Sequence, residues 1–449
     1  DRKSTRLNSS HSSSSYAVFC LKKKTWWNKT RGNKLLLNNK GHSFQDITTE
    51  AGLDKRILGM ACATADMNND GFSDLLVSGF NGNTLFKNNG DSTFEEITTQ
   101  SGISNQRWST GTSLGDYNND GLLDIYISNF GNYLNGTLPT LKRRNDNGTA
   151  NQLFKNMGAF TFKDVTAETK VGDTGWGQAL THTDINMDGW QDLIVGNDFG
   201  VNRYYINQKG KYFTDRSVEL RTAKPSYTMN VSVADLNRDL IPDIYISNIV
   251  TMNKDQKYVL PNDETTMEFN ANKLAEMRVV EANDLFLSSI DSDKKIKYQH
   301  SDVVGRGYSS TGWSWDADFF DADLDGDDDL YVLNGMNEFN LYSNKNPYYT
   351  DPKNNKMVNI HIPVSTKESN VFFLNTKGKL QNISSQSGLD LLGNSRSAAY
   401  LDYDNDGDLD IILNNYHEKA YLYKNNADRL NNNWIKIRAF GDPGKGVNR

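Results

Sequence analysis

Asp66-Met67-Asn68-Asn69-Asp70-Gly71-Phe72-Ser73-Asp74 runs straight into Leu75-Leu76-Val77-Ser78, an acidic ladder followed by an apolar stretch. The phrase returns at Asp116–Asp124, Asp184–Asp192, Asp235–Asp243, Asp321–Asp329 and Asp402–Asp410. Each copy reads D-x-[DN]-x-D-G-x-x-D, except that Leu240 replaces the glycine of the fourth. Oxygen side chains at positions one, three, five and nine, with a free carbonyl at seven, can wrap a hard cation in one short loop. Glycine at six permits the sharp turn. The chemistry this predicts is calcium binding, with up to six Ca²⁺ ions per chain.

The side-chain ligands predicted in the first three ladders are Asp66, Asn68, Asp70 and Asp74, then Asp116, Asn118, Asp120 and Asp124, then Asp184, Asn186, Asp188 and Asp192. In the last three they are Asp235, Asn237, Asp239 and Asp243, then Asp321, Asp323, Asp325 and Asp329, then Asp402, Asp404, Asp406 and Asp410. Phe72, Leu122, Trp190, Ile241, Asp327 and Asp408 supply the position-seven carbonyls. Magnesium keeps more of its waters and takes fewer protein oxygens, so this donor count favours calcium.

A helix-flanked calcium hand requires Glu at position twelve. Here Val77, Ile127, Val195, Ile246, Val332 and Leu413 stand there, inside runs such as Asp-Ile-Tyr-Ile-Ser that read as buried β-strand. Each ligand loop therefore joins two strands. Metal-free Asx-rich hairpin turns are the competing reading.

Beyond each ladder comes a strand, a spacer, a phrase such as Thr84-Leu85-Phe86-Lys87-Asn88, and a strand such as Phe94-Glu95-Glu96-Ile97-Thr98. Four-stranded units that cannot bury their apolar faces alone predict an all-β fold, a β-propeller of four-stranded blades. The calcium loops fall between the first and second strands. Six repeats read as complete. Lys34 to Gly41 and Phe44 to Thr48 match a further half unit without a ladder, which predicts a seven-bladed ring; six blades with an extra hairpin is the alternative. Residues 1–32 are set apart as a non-native-like or disordered tail, of which 1–24 resemble translated adapter sequence, 33–432 form the propeller, and 433–449 begin a further segment.

These residues carry a family resemblance. The ladder followed by Asp-Leu/Ile-x-x-Ser/Gly-Asn resembles the FG-GAP (VCBS-type) repeats of integrin α-subunit propellers, which implies calcium on one face of the ring. Trp108-Ser109-Thr110-Gly111 and Leu153-Phe154-Lys155-Asn156 are closer to the bacterial, cartilage acidic protein-like branch. Asn433-Trp434-Ile435-Lys436-Ile437 resembles the start of the ASPIC/UnbV segment that follows the propeller in that branch.

Composition bounds the function classes. The chain has 449 residues and a formal charge of −7, and the ladders hold much of its acid, so metal and folding are predicted to be coupled. No apolar run approaches the ~18 residues of a membrane span. Lys22-Lys23-Lys24 and Lys142-Arg143-Arg144 are too small to argue for nucleic acid. Cys20 and Cys62 do not make a disulfide framework. Loops lacking the anchoring Glu suit the millimolar calcium found outside cells. The expected setting is therefore extracellular, cell-surface or periplasmic, although residues 1–24 show no signal peptide.

Eight positions before each ladder stand Leu58, Trp108, Trp176, Tyr227, Trp313 and Asn394. Their register places them at the mouth opposite the loops. With Arg107, Arg306, Tyr308 and Arg396 they form a candidate ligand-binding ring, plain packing between blades being the alternative. None of the six histidines has metal or triad spacing, and there is no G-x-S-x-G or phosphate loop. The sequence predicts a non-enzymatic recognition, adhesion or scaffold module for glycan or protein, a monomer or part of a larger surface protein. A polysaccharide lyase or hydrolase acting through mouth residues is the alternative.

Overall fold

The computed structural model describes residues 16–19, 33–132, 135–137, 139, 144–249, 283–300, 311–335, 348–351, 356–359, 367–416, 418–430, 432 and 434. Six antiparallel sheets begin immediately before an acidic ladder, and the ladder always connects their first two strands. Blade 1 comprises Gly59–Ala65, Asp74–Gly79, Gly82–Asn88 and Phe94–Glu96. Blade 2 comprises Ser109–Gly115, Asp124–Asn129, Gln152–Asn156 and Phe162–Asp164; blade 3 comprises Gly177–Thr183, Asp192–Asn197, Arg203–Asn207 and Phe213–Asp215. Blade 4 is Thr228–Ala234, Asp243–Asn248, Asp284–Ile290 and Ile296–His300; blade 5 is Ser314–Phe320, Asp329–Asn334, Val371–Thr376 and Lys379–Asn382. Blade 6, predicted to be complete, shows three strands among the described residues: Ser395–Leu401, Asp410–Asn415 and Tyr421–Tyr423.

A leading sheet of three strands, Tyr16–Phe19, Lys34–Asn38 and Phe44–Asp46, precedes blade 1. Its first strand lies in the segment set apart as a tail. The β-prone sequence Tyr-Ala-Val-Phe pairs antiparallel with Lys34–Leu37.

Strand alternation explains how sheets become a ring. In Asp124–Asn129, Ile125 and Ile127 point to one side and pack with Leu76, Leu85 and Ile97 of blade 1. Tyr126 points to the other side and packs with Leu193 and Val195 of blade 3. Second strands are consequently apolar on both faces, and each core lies between two neighbouring blades rather than inside one. Leu35 and Ile47 of the leading sheet share a core with Leu75, Val77 and Phe86 of blade 1. The first strands of successive blades lie against one another around the axis.

The ring closes between the leading sheet and blade 6. Asn38 Nδ2 donates to the carbonyl of Tyr403 at 2.6 Å, and the Phe44 and Tyr403 rings lie 6.3 Å apart. Gly41, at φ 76°, is close enough to blade 6 that a Cβ there would fall 2.7 Å from Asp404 Cβ. Six loop-bearing blades and the leading sheet thus share one ring.

Two other expectations concern the insertions. Residues 251–283 hold Glu264-Thr265-Thr266-Met267-Glu268-Phe269 and Leu274-Ala275-Glu276-Met277, a pattern that predicts helix, and fall almost wholly outside the described residues. Residues 335–369, whose Asn- and Tyr-rich sequence predicts an exposed loop, contain the paired strands Tyr348–Asp351 and Lys356–Asn359, and Glu368–Ser369 pairs with Leu392–Gly393. Their Tyr and Val content supplies the β-propensity that asparagine richness obscured.

Candidate cation loops

The six ladders share one backbone geometry. Position four is left-handed in every copy, with φ between 57° at Asn119 and 63° at Met187, and position six is also left-handed. This double turn brings amides back onto the first carboxylate. Asp66 accepts from the Asp70 and Gly71 N–H groups at 3.0 and 2.7 Å, and the same pair of bonds recurs at Asp116, Asp184, Asp235 and Asp321. The position-five carboxylate accepts from the position-seven amide in all six.

The fourth loop keeps this geometry despite its substitution. Leu240 adopts φ 71°, its amide still donates to Asp235 at 2.8 Å, and its side chain is 68% exposed. The turn is retained at the expense of placing a β-carbon in a conformation that glycine adopts more readily.

Position nine is the buried anchor. Asp74, Asp124, Asp192, Asp243, Asp329 and Asp410 are at most 1% exposed. Each accepts an amide from position two of its own loop and another from the third strand of its blade, as Asp74 does from Met67 and Asn88. Burial raises these carboxyls, to about 7 for Asp74, Asp192 and Asp410, about 8 for Asp124 and Asp329, and about 6 for Asp243. The neighbouring loop carboxylates push in the same direction. A divalent ion beside them would reverse that trend by favouring the charged form.

The donor set fits a hard cation. Carboxylate oxygens of Asp321, Asp323 and Asp325 converge within 4.8 Å of one another, as do those of Asp402, Asp404 and Asp410. Asp404 Oδ1 is buried and has no hydrogen-bond donor. Basic residues partly balance three of the loops: Lys155 lies 3.2 Å from Asp120, Arg238 Nε lies 2.5 Å from Asp327, and Lys424 contacts Asp404 and Asp406.

The far ends of the blades carry the predicted aromatic positions, and there the structure makes an interior stack. Successive rings of Phe80, Trp108, Phe130, Trp176, Phe199 and Tyr227 lie 5.1–5.8 Å apart. Trp176 is 0% exposed, and Tyr227 and Trp313 are also buried, so these three have no free face for a ligand. Arg396 is likewise buried, stacked on Trp315 and Tyr416. Trp108 and Arg107 remain half-buried, with Arg107 Nη1 donating to the Ala150 carbonyl. Arg306 and Tyr308 lie outside the described residues. Sequence reasoning missed Phe80, Phe130 and Phe199; the signal was an aromatic within two residues of the end of the second strand in blades 1 to 3.

Comparison with known proteins agrees with this arrangement. The family model described as "FG-GAP-like repeat" matches residues 66–127 and 184–246. The protein is a β-propeller of four-stranded blades, and two stretches of its repeats are similar to that model. Among characterised relatives, cartilage acidic protein 1 of Xenopus tropicalis is 34% identical over 109 residues, 23% of this chain and 16% of that protein. Integrin alpha-7 of Rattus norvegicus is 32% identical over 116 residues, 23% of this chain and 10% of that protein. The chain thus spans less than a fifth of the length of these relatives. A solved lectin of Agrocybe aegerita, described as recognising non-reducing terminal N-acetylglucosamine, superposes with a TM-score of 0.45 at 13% identity, covering 94% of this chain and 92% of that one. Among the described residues no helix is long and apolar enough to cross a membrane.

Proposed function

We propose that the protein is a calcium-stabilised propeller that acts outside the cytosol as a recognition or adhesion module for glycan or protein. The observation that carries this reading is the repetition of one acidic loop with one backbone geometry on one end of six blades, five of the loops sharing the same amide bonds to the first carboxylate. Repetition of a loop whose buried carboxylates repel one another makes sense when an ion is present to neutralise them. Kinship with integrin alpha and cartilage acidic protein 1 supports an adhesive role and an extracellular setting. Calcium then holds the end of the blade pairs, and the opposite end is free to present a binding surface.

On that surface we assign ligand contact to Arg107 and Trp108, the two predicted ring residues that stay half-buried rather than buried. A glycan array and a panel of extracellular-matrix proteins, both in calcium-containing buffer, test the assignment. Retention that falls at least tenfold in Arg107→Ala supports it. Release of reducing or unsaturated sugar ends would instead establish a lyase or hydrolase, and loss of no retention in the variant would move the site elsewhere.

A further inference from the structure

We propose that the sixth blade holds an additional divalent cation, of the calcium class, between Asp406, Asp408 and Asp428, with Asp406, a predicted ligand of loop six, bridging it to the set formed by Asp402, Asp404 and Asp410. Carboxylate oxygens of Asp406, Asp408 and Asp428 lie within 4.8 Å of one another. Asp408 is 0% exposed, and its Oδ1 has no hydrogen-bond donor. Its other oxygen accepts the Asp428 amide at 3.0 Å, which fixes the carboxylate toward the short 3₁₀ turn Ala427–Arg429. A fully buried carboxylate oxygen facing two further carboxylates is stable only with a positive charge or a proton between them.

Loop five shows what the same position looks like when a protein cation supplies that charge. Asp327 is the counterpart of Asp408 and is 2% exposed, but Arg238 reaches across from loop four and sets its Nε 2.5 Å from Asp327 Oδ1. Arg238 occupies position four of its loop. In loop five that position is Leu324, so no guanidinium extends from blade 5 toward Asp408. Blade 6 instead brings a third carboxylate, Asp428. Lys424 is the one ammonium shown at this loop, shared between Asp404 and Asp406, and no contact of it with Asp408 or Asp428 is seen among the described residues. Asp402, Asp404, Asp406, Asp408, Asp410 and Asp428 together exceed what this ammonium and one divalent ion in the loop would neutralise. Three carboxylates match the all-oxygen, adaptable coordination that calcium takes.

The site has a structural consequence. Asp428 belongs to the turn through which the chain leaves blade 6, and just beyond it Asn432 Nδ2 donates to the Asp323 carbonyl of loop five at 2.8 Å. Trp434 lies against Gly407, where a Cβ would fall 1.9 Å from its ring. A cation at Asp428 would therefore pin this exit segment across loops five and six.

The test is the number of calcium ions bound per full chain at saturation, measured by equilibrium dialysis with calcium alone and by native mass spectrometry. Asp428→Asn, an exposed and conservative change, is expected to bind one ion fewer than the wild type. Combined with Asp120→Asn, which removes a ligand of loop two, the loss should be two. Equal counts in wild type and Asp428→Asn would overturn the site and leave a shared proton as the explanation, with the loop reading intact. A wild-type chain that binds no calcium would overturn both.

Discussion

Leu240 holds a left-handed φ of 71° with its side chain in water, so its conformation is imposed by the loop and compensated by little burial. The strain of a β-carbon there is about 1–2 kcal/mol, against about 0.5–1 kcal/mol of extra chain entropy for glycine. Leu240→Gly is accordingly expected to stabilise the chain by roughly 0.5–1 kcal/mol, read as a higher urea midpoint at unchanged slope. Asp120 gives the opposite test. Its carboxylate is half-exposed in loop two and receives the Leu122 amide and the Lys155 ammonium. Asp120→Ala should remove one bound calcium per chain and lower the melting temperature in calcium more than in chelator. A variant that melts lower by the same amount in both would mean the side chain only shapes the turn.

Between blades, one asparagine recurs as a latch. Asn156 at the end of its third strand donates from Nδ2 to Met67 of the preceding loop at 2.9 Å and to Leu123 of its own loop at 3.0 Å. Asn207, Asn375 and Asn425 do the same with Tyr117, Leu236 and Ala322. Blade 4 has Ser288 there, which bonds within its own blade instead. Asn156→Ala, which strands two buried carbonyls, should cost about 2 kcal/mol, whereas Ser288→Ala should cost less; chemical denaturation of the two variants compares them. In the far-end stack, Trp176→Ala should cost about 3–5 kcal/mol and leave the calcium count unchanged.

How much of this was legible follows from what each feature depends on. The ladders could be read because a ligand loop demands particular residues at fixed spacing within nine positions. The strand order could be read because the second strands are apolar on both faces. The latch could be seen only as a repeated Asn, since its partner carbonyl sits some ninety residues away in the case of Asn156. Whether Trp176 faces solvent depends on Phe130 and Phe199, which lie beyond other strands, so its burial could not be read from its own position. Asp428 stands outside any ladder, and its approach to Asp408 exists only in the folded blade.

At the scale of the whole ring, the buried position-nine aspartates set the pH dependence. Their folded values, about 6 to 8, stand above the ordinary 3.8, so the metal-free protein gains stability from protonating them. That contribution is complete below about pH 4 and is lost as pH rises through about 6 to 8. Calcium favours the charged form, so the stabilisation it confers should grow across the same window. Each loop at a hundredfold excess of calcium over its Kd would add about 2.7 kcal/mol.

The measurement that tests this most directly is thermal denaturation of the full chain by circular dichroism near neutral pH, in calcium and in chelator, repeated at about pH 5. The β-rich spectrum should melt several degrees higher in calcium near neutral pH, with a smaller difference at acidic pH. Superimposable melts with and without calcium at both values would contradict the role assigned to the six loops.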